Sequence, residues 1–306
     1  MTMREWLAGS GDTAADVVVL GAPISKASIS PSQAWTTPAA LREALARFPT
    51  WDAAGRADIA ELSVRDDGDV DGDRDDPDAS AAHGRIEAAV AGLIGKGSST
   101  VVLVIGGDNS LTRPAFLGAK RARPQAAWGL LTLDAHHDCR PVTSGSANGT
   151  PIRELIEGGL PGNRVAQVGI HPFGNAADHA SWALAQGIHV HDVDEVRRDG
   201  VEAVVGRALG ELRAAGAEAL YVDLDIDVVD RAFAPACPAS LPGGLFPGDL
   251  LAAARLVGRQ PDVAIVDLCE VDAEADVAGI TVRLMAATFT ALCAGIALRM
   301  RAATPS

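Results

Sequence analysis

Aromatic residues are scarce, at 4% of a 306-residue chain, so stacking on nucleobases is not a recurring device. Positive charge is also in deficit. Against 40 Asp and Glu there are 26 Lys and Arg, which leaves a formal net charge of −14 and a pI near 4.8. Such a field repels phosphate backbones and anionic membrane surfaces, which argues against both as partners. Only four cysteines occur, Cys139, Cys237, Cys269 and Cys293. None forms a CxxC pair, so zinc-ribbon and thioredoxin motifs are excluded. The opening segment, MTMREWLAGSGDTAADVVVL, carries acids where a signal peptide has an apolar run. The longest uncharged stretch lies between Arg283 and Arg299, is short for a membrane span and contains Thr; it is expected to be a buried helix. A cytoplasmic protein with free thiols is the reading.

What is present is ordinary globular material: 48% hydrophobic and 22% charged residues, with 32 glycines. Short β-branched runs alternate with helical patterns. Strands are expected at Val17–Leu20, Thr100–Ile105, Gly129–Leu133, Arg164–Val168, Ile188–His191, Leu220–Leu224 and Val263–Leu268. Helices are expected at Pro38–Arg47 (N-capped by Thr37), Ile86–Ile94 (ending near Gly95), Leu111–Arg121, Ala176–Gln186, Val201–Ala215, Pro247–Val257 and Arg283–Arg299. Near-continuous apolar strands separated by helices predict an α/β fold with a parallel sheet covered on both faces. No linker divides the chain, so residues 1–306 read as one domain.

One segment breaks the rhythm. Asp66–Asp78 carries eight Asp in thirteen residues and partly matches an EF-hand loop. Arg74 stands where an apolar residue is usual, and Asp78 replaces the closing Glu. A solvated acidic surface loop is the preferred reading over a calcium site.

Three polar clusters follow strand ends: Gly106–Ser110 (GGDNS), Asp134–Asp138 (DAHHD) and Asp223–Asp227 (DLDID). In a parallel sheet the carboxyl ends of the strands form the ligand crevice, so the three can converge there. Asp134, His136 and Asp138 alternate and would share a face in extended chain. They repel one another unless a cation lies between them, and Asp225 and Asp227 repeat the problem. Carboxylates with one imidazole suit a hard or borderline divalent ion such as Mn2+. Carboxylates can bridge, so two ions about 3.5 Å apart are allowed.

These motifs, with Gly21–Ser25, Asn148–Pro151, Asp225–Gly244 and Asp267–Asp272, resemble the arginase–agmatinase–formimidoylglutamase (ureohydrolase) family over nearly the whole chain. The resemblance implies a three-layer αβα sandwich with a parallel sheet of about eight strands. It implies two Mn2+ ions, a small amidine or guanidine substrate, and trimers or hexamers. Asp134 and Asp225 match the bridging carboxylates, and His136 and Asp227 match ligands of one ion. Asp138 matches a ligand of the other ion and a proton shuttle. Asp230 matches a residue supporting the ligands, and Glu270 the carboxylate that pairs with the substrate's cationic group. Two positions depart from the pattern. Asn109 stands where the family's first motif usually places a metal-binding His, and its amide oxygen is expected to be a weak ligand. Asn148 stands where arginases carry a His thought to move protons, which Asn cannot do.

The segments 148–153, 169–175 and 46–52 look most like members called formimidoylglutamase or agmatinase-like. The expected reaction is hydrolysis of N-formimidoyl-L-glutamate to L-glutamate and formamide, a step of histidine degradation. The alternatives are an agmatinase- or guanidinobutyrase-type enzyme releasing urea, and a metal-poor inactive homologue. A substrate with two carboxylates needs cations, for which Arg113, Arg140, Arg153 and His171 are candidates. Asn148 is a further substrate-binding candidate, and His171, just past the strand Arg164–Val168, is expected in the crevice, where it is also a catalytic candidate beside Asp138 and Glu270.

Overall fold

The computed structural model describes residues 1–9, 15–94, 100–143 and 145–303. Helix α1 spans Met3–Ala8, and strand β1 spans Val17–Ala22. Helix α2 (Thr37–Ala44) is followed by a small hairpin of β2 (Trp51–Asp52) and β3 (Ala57–Asp58), then by β4 (Val64–Asp69) and α3 (Ser80–Leu93). The middle of the chain runs β5 (Val101–Gly106), α4 (Thr112–Ala122), β6 (Trp128–Leu133), α5 (Pro151–Glu157) and β7 (Val165–Ile170). It continues through α6 (Ala177–Ala185), β8 (His189–Asp192), α7 (Val193–Asp199) and α8 (Val201–Ala214). It closes with β9 (Ala219–Asp225), α9 (Pro247–Gly258), β10 (Val263–Cys269) and α10 (Ile280–Ala303).

Eight strands form one parallel sheet in the order β4-β1-β5-β10-β9-β6-β7-β8. The inner strands β1, β5, β6, β7, β9 and β10 are buried along their whole length, which is why they read as unbroken apolar runs. One face packs on residues of α1, α2, α7, α8, α9 and α10, the other on α3, α4, α5 and α6. The architecture is therefore the expected three-layer αβα sandwich. Helix α10 is apolar and long enough by composition to cross a bilayer. However, 72% of its most apolar window is buried in the fold, so it is a core helix as expected.

The acidic segment differs from the loop expected of it. Its first part is the edge strand β4, paired only to β1. Asp66 and Asp69 accept ion-paired hydrogen bonds from Arg42 at 2.8 and 2.6 Å, and Asp67 pairs with Arg65. Asp73 is buried and accepts the backbone N–H groups of Ser25 and Lys26. These carboxylates point to separate partners and do not converge as an EF-hand loop requires. Charge along an edge strand also discourages pairing with another chain.

Smaller corrections concern helix ends. Thr37 is not the cap of α2; it lies inside the helix, its hydroxyl bonds to the Val271 carbonyl, and Thr36 occupies the cap position. Helix α3 starts six residues before the expected Ile86, at Ser80. Gly95 lies outside the described residues.

Candidate metal centre and substrate cleft

The carboxyl ends of β5, β6, β9 and β10 are adjacent in the sheet, so the three polar clusters and Glu270 meet at one edge. After β5 the chain turns sharply. A Cβ on Gly107 would lie 1.8 Å from the Ile24 carbonyl oxygen, so only glycine fits there. Asp108 then accepts the Ser110 N–H at 3.0 Å, which sets Asn109 at the floor of the cleft.

The acidic side chains are held by the backbone beside them. Asp134 Oδ1 accepts the His136 N–H at 2.6 Å, and Asp225 Oδ1 accepts the Asp227 N–H at 2.7 Å. Asp227 Oδ1 accepts the Ala135 N–H at 2.9 Å, tying the β9 loop to the β6 loop. Asp134 and Asp225 thus spend one oxygen on orientation, which leaves the other for a ligand. Asp227 Oδ2 lies 2.6 Å from His136 Nδ1, and one ligand atom from each of Asp134, His136 and Asp227 lies within 4.8 Å of the others. Asp138 and Asp225 line the same cleft. Asp138 and Glu270 are non-glycine residues with positive φ, 50° and 65°. Such backbone costs on the order of 1 kcal/mol at each position and marks sites that the surrounding fold over-determines.

The charges are costly as they stand. Burial raises Asp134 to about 7, with Asp227 adding to the effect, and burial also lifts Asp138 and Asp225 well above the usual carboxylate range. Asp227 stays low despite burial because His136 faces it, and Asp227 in turn pushes His136 up to about 12. Burial and Asp108 raise Glu270 to about 8. Glu270 Oε1 accepts the Asn109 N–H at 2.7 Å and an Asn148 amide N–H at 3.0 Å, while buried Oε2 has no partner. Buried like charges of this kind are relieved by a cation. Asp134, His136, Asp138, Asp225 and Asp227 offer oxygen donors and one imidazole, a set that fits hard or borderline divalent ions.

Other expected site residues are placed differently. Asn109 donates its amide N–H to Asp138 Oδ2 at 2.7 Å, and its Oδ1 accepts from Thr112 at 2.7 Å. In this arrangement its oxygen faces Thr112 and its N–H faces Asp138, so offering the oxygen as the expected weak ligand would require the amide to turn over. His171 does not line the cleft: Nε2 lies 3.0 Å from the Pro242 carbonyl and Nδ1 accepts the Phe173 N–H. With both nitrogens engaged by backbone, it braces two loops. Asp230 accepts the N–H groups of Ala232 and Gly243, so it braces its own loop and reaches no candidate ligand. Arg153 pairs with Glu157 at 2.8 Å and stacks on Trp182, and Arg113 pairs with Glu154 at 3.0 Å. Neither lines the cleft, whereas Arg140 and Asn148 do.

Among the cleft residues that the sequence did not point to are Asn175 and His179. Asn175 accepts the His137 N–H at 2.8 Å and donates to the Ala135 carbonyl at 3.0 Å, which fixes the loop carrying His136. Asn175 lay within the quoted segment 169–175, but nothing in the sequence marked His179 apart from other helix-surface histidines.

A buried, backbone-anchored set of metal donors at the carboxyl edge of an αβα sandwich defines a class, the metal-dependent hydrolases of linear carbon–nitrogen bonds. A profile of the arginase family matches residues 15–294, and the chain belongs to that family. It is 34% identical over 270 residues to a formimidoylglutamase of Halalkalibacterium halodurans, covering 88% of this chain and 83% of that protein. The solved structure of Bacillus subtilis formimidoylglutamase superposes with a TM-score of 0.89 at 28% identity, covering 97% of this chain and 92% of the other. A Trypanosoma cruzi formiminoglutamase solved with Mn2+ shares the fold, with a TM-score of 0.88 at 24% identity, over 97% of this chain and 98% of that one.

Proposed function

We propose that the chain hydrolyses N-formimidoyl-L-glutamate to L-glutamate and formamide with two Mn2+ ions held by Asp134, His136, Asp138, Asp225 and Asp227. The observation that carries this reading is the polarity of the cleft. Its floor presents the unpartnered Glu270 Oε2, suited to an amidinium. Its outer part carries Arg140, which has no carboxylate partner among the described residues, suited to a carboxylate. Among the described residues, the acidic side chains lining the cavity are Asp138, Asp225, Asp227 and Glu270, all from the strand ends, which leaves none beside Arg140 to receive the free amine of agmatine. Names of similar proteins support the same substrate.

Divalent ions bound there supply Lewis acidity and lower the pKa of water toward neutrality. The protein does the rest. Glu270 Oε2 accepts from the amidinium and turns its sp2 carbon toward the carboxylate cluster, while Asn109 and Asn148 fix Oε1. Asp138, held by Asn109, passes a proton to the departing amine nitrogen as the carbon–nitrogen bond breaks. The oxygen of water ends in formamide, and glutamate leaves as the amine. Arg140 meets a substrate carboxylate by a charge-assisted hydrogen bond. A cytoplasmic trimer or hexamer belongs to the same proposal.

The test is a product assay of the Mn2+-loaded enzyme with N-formimidoyl-L-glutamate, agmatine, 4-guanidinobutyrate and arginine. Formamide from the first supports the reading, and urea from a guanidine with no formamide overturns it.

A further inference from the structure

The cleft holds a second cation-capable side chain that the proposed reaction has not used. His179 lies in the first turn of α6 and lines the same cavity as Arg140, Asp138 and Glu270. Its side chain is 16% exposed, and among the described residues its one recorded polar contact is a loose one with the neighbouring Asp178. Its nearest carboxylate, Asp178 Oδ1, is 3.9 Å away on a side chain that is 77% exposed to solvent. Every other histidine in this part of the fold is engaged: His136 with Asp227, His137 with Gln167, and His171 with the Pro242 carbonyl. An imidazole that lines a cavity and is held by no close partner can donate an N–H to an acceptor bound there.

Its surroundings favour an anion. Ala176, the N-cap of α6, also lines the cavity and has no side-chain oxygen to cap the helix. The first-turn N–H groups beside His179 therefore add a positive potential at the cavity, while the acidic residue of that turn, Asp178, is 77% exposed to solvent. The other residues of the outer cleft, among them Ile29, Ser30, Asn175 and Ala239, bring no negative charge.

We infer that His179 is a specificity-determining residue, the second anion contact of the cleft, which with Arg140 selects a dicarboxylate amidine over a monocarboxylate one. This rests on the reaction proposed above. Arg140 comes from the loop after β6 and His179 from the first turn of α6, so two separated carboxylates can be met at once. A guanidino acid with one carboxylate engages only one of them.

The experiment compares kcat/KM of the full-length Mn2+-loaded enzyme for N-formimidoyl-L-glutamate with that for N-formimidoyl-2-aminobutyrate and N-formimidoyl-4-aminobutyrate, each lacking one carboxylate. His179→Ala should lower the dicarboxylate preference over one of these by about tenfold, the worth of one charge-assisted hydrogen bond. His179→Gln, which keeps an N–H donor, should restore part of it. Wild-type ratios in His179→Ala overturn the inference, because a purely structural His179 would not set the ratio. If the wild type releases no formamide at all, the proposed reaction fails, and the inference is then read from glutarate binding by calorimetry. An about tenfold loss of glutarate affinity in His179→Ala sustains the anion contact. Equal affinity overturns it.

Discussion

Asn148 donates its side-chain amide to Glu270 Oε1 at 3.0 Å, across 122 residues of sequence. The same asparagine accepts the Ile29 N–H through Oδ1, so it joins the cleft wall to the cleft floor. In the proposed reaction it acts as a positioning amide for Glu270. Asn148→Ala leaves Glu270 Oε1 with the Asn109 N–H alone and should lower kcat/KM about tenfold. Steady-state kinetics check this, and Asn148→Asp, which sets a second carboxylate against Glu270, should be worse than Ala.

Glu270→Gln removes the negative charge that faces the amidinium but keeps the shape. A loss of about 100-fold in kcat/KM is expected, since a buried charge-assisted contact is lost in the transition state. Glu270 is pushed up to about 8 by burial, so its ionised form is a burden on the metal-free fold. The variant should therefore melt no lower than wild type at pH 8.5 once metal is removed. Thermal scans with chelator present check it.

Asn109→His tests the departure at the first motif. An imidazole there can turn a nitrogen toward the metal site, which the amide does not do in its bond to Asp138. Mn2+ affinity should rise by about tenfold or more. Calorimetric titration with Mn2+ reads this directly, and equal affinity would show that position 109 does not govern loading.

The pH dependence of the metal-free protein follows from the raised carboxyl groups. Asp134 at about 7 and Glu270 at about 8 lie above the ordinary carboxylate range, so the folded state binds their protons more tightly than the unfolded state. Their stabilisation is full at low pH and is lost as pH rises through 7 and 8. His83, buried and lowered to about 4 beside Ser110, has the opposite sign. Its destabilisation eases as pH rises from about 4 through 6.5, and above 6.5 His136, raised to about 12, adds to the fall in stability. Stability should fall between pH 6.5 and 8.5 with EDTA, and the stabilisation by saturating Mn2+ should be larger at pH 8.5 than at 6.5.

The sheet was legible because its inner strands are apolar on both faces, and the metal-site candidates because they sit in short polar clusters at strand ends. Edge strand β4 was not legible: Val64–Asp69 is rich in Asp, and its strand character comes from pairing with β1 and from Arg42 across the fold. Short helices α5 and α7 carry too few turns for a periodic signal. Within the site, residue types were readable but contacts were not. Nothing in the chain order says that Arg153 turns to Glu157 and Trp182, or that Asn109 presents its N–H and not its oxygen. Those outcomes depend on which side chain has a nearer partner, a property of the folded cleft.

The central claim is that five side chains at one sheet edge hold two divalent ions. It is tested most directly by the manganese content of protein reconstituted with Mn2+ and freed of excess metal, for wild type and for Asp225→Ala. The account predicts two ions per chain in the wild type and a loss of tightly held metal in Asp225→Ala, with the fold retained by circular dichroism. Wild-type protein without bound manganese, or a variant that holds as much as wild type, would contradict it.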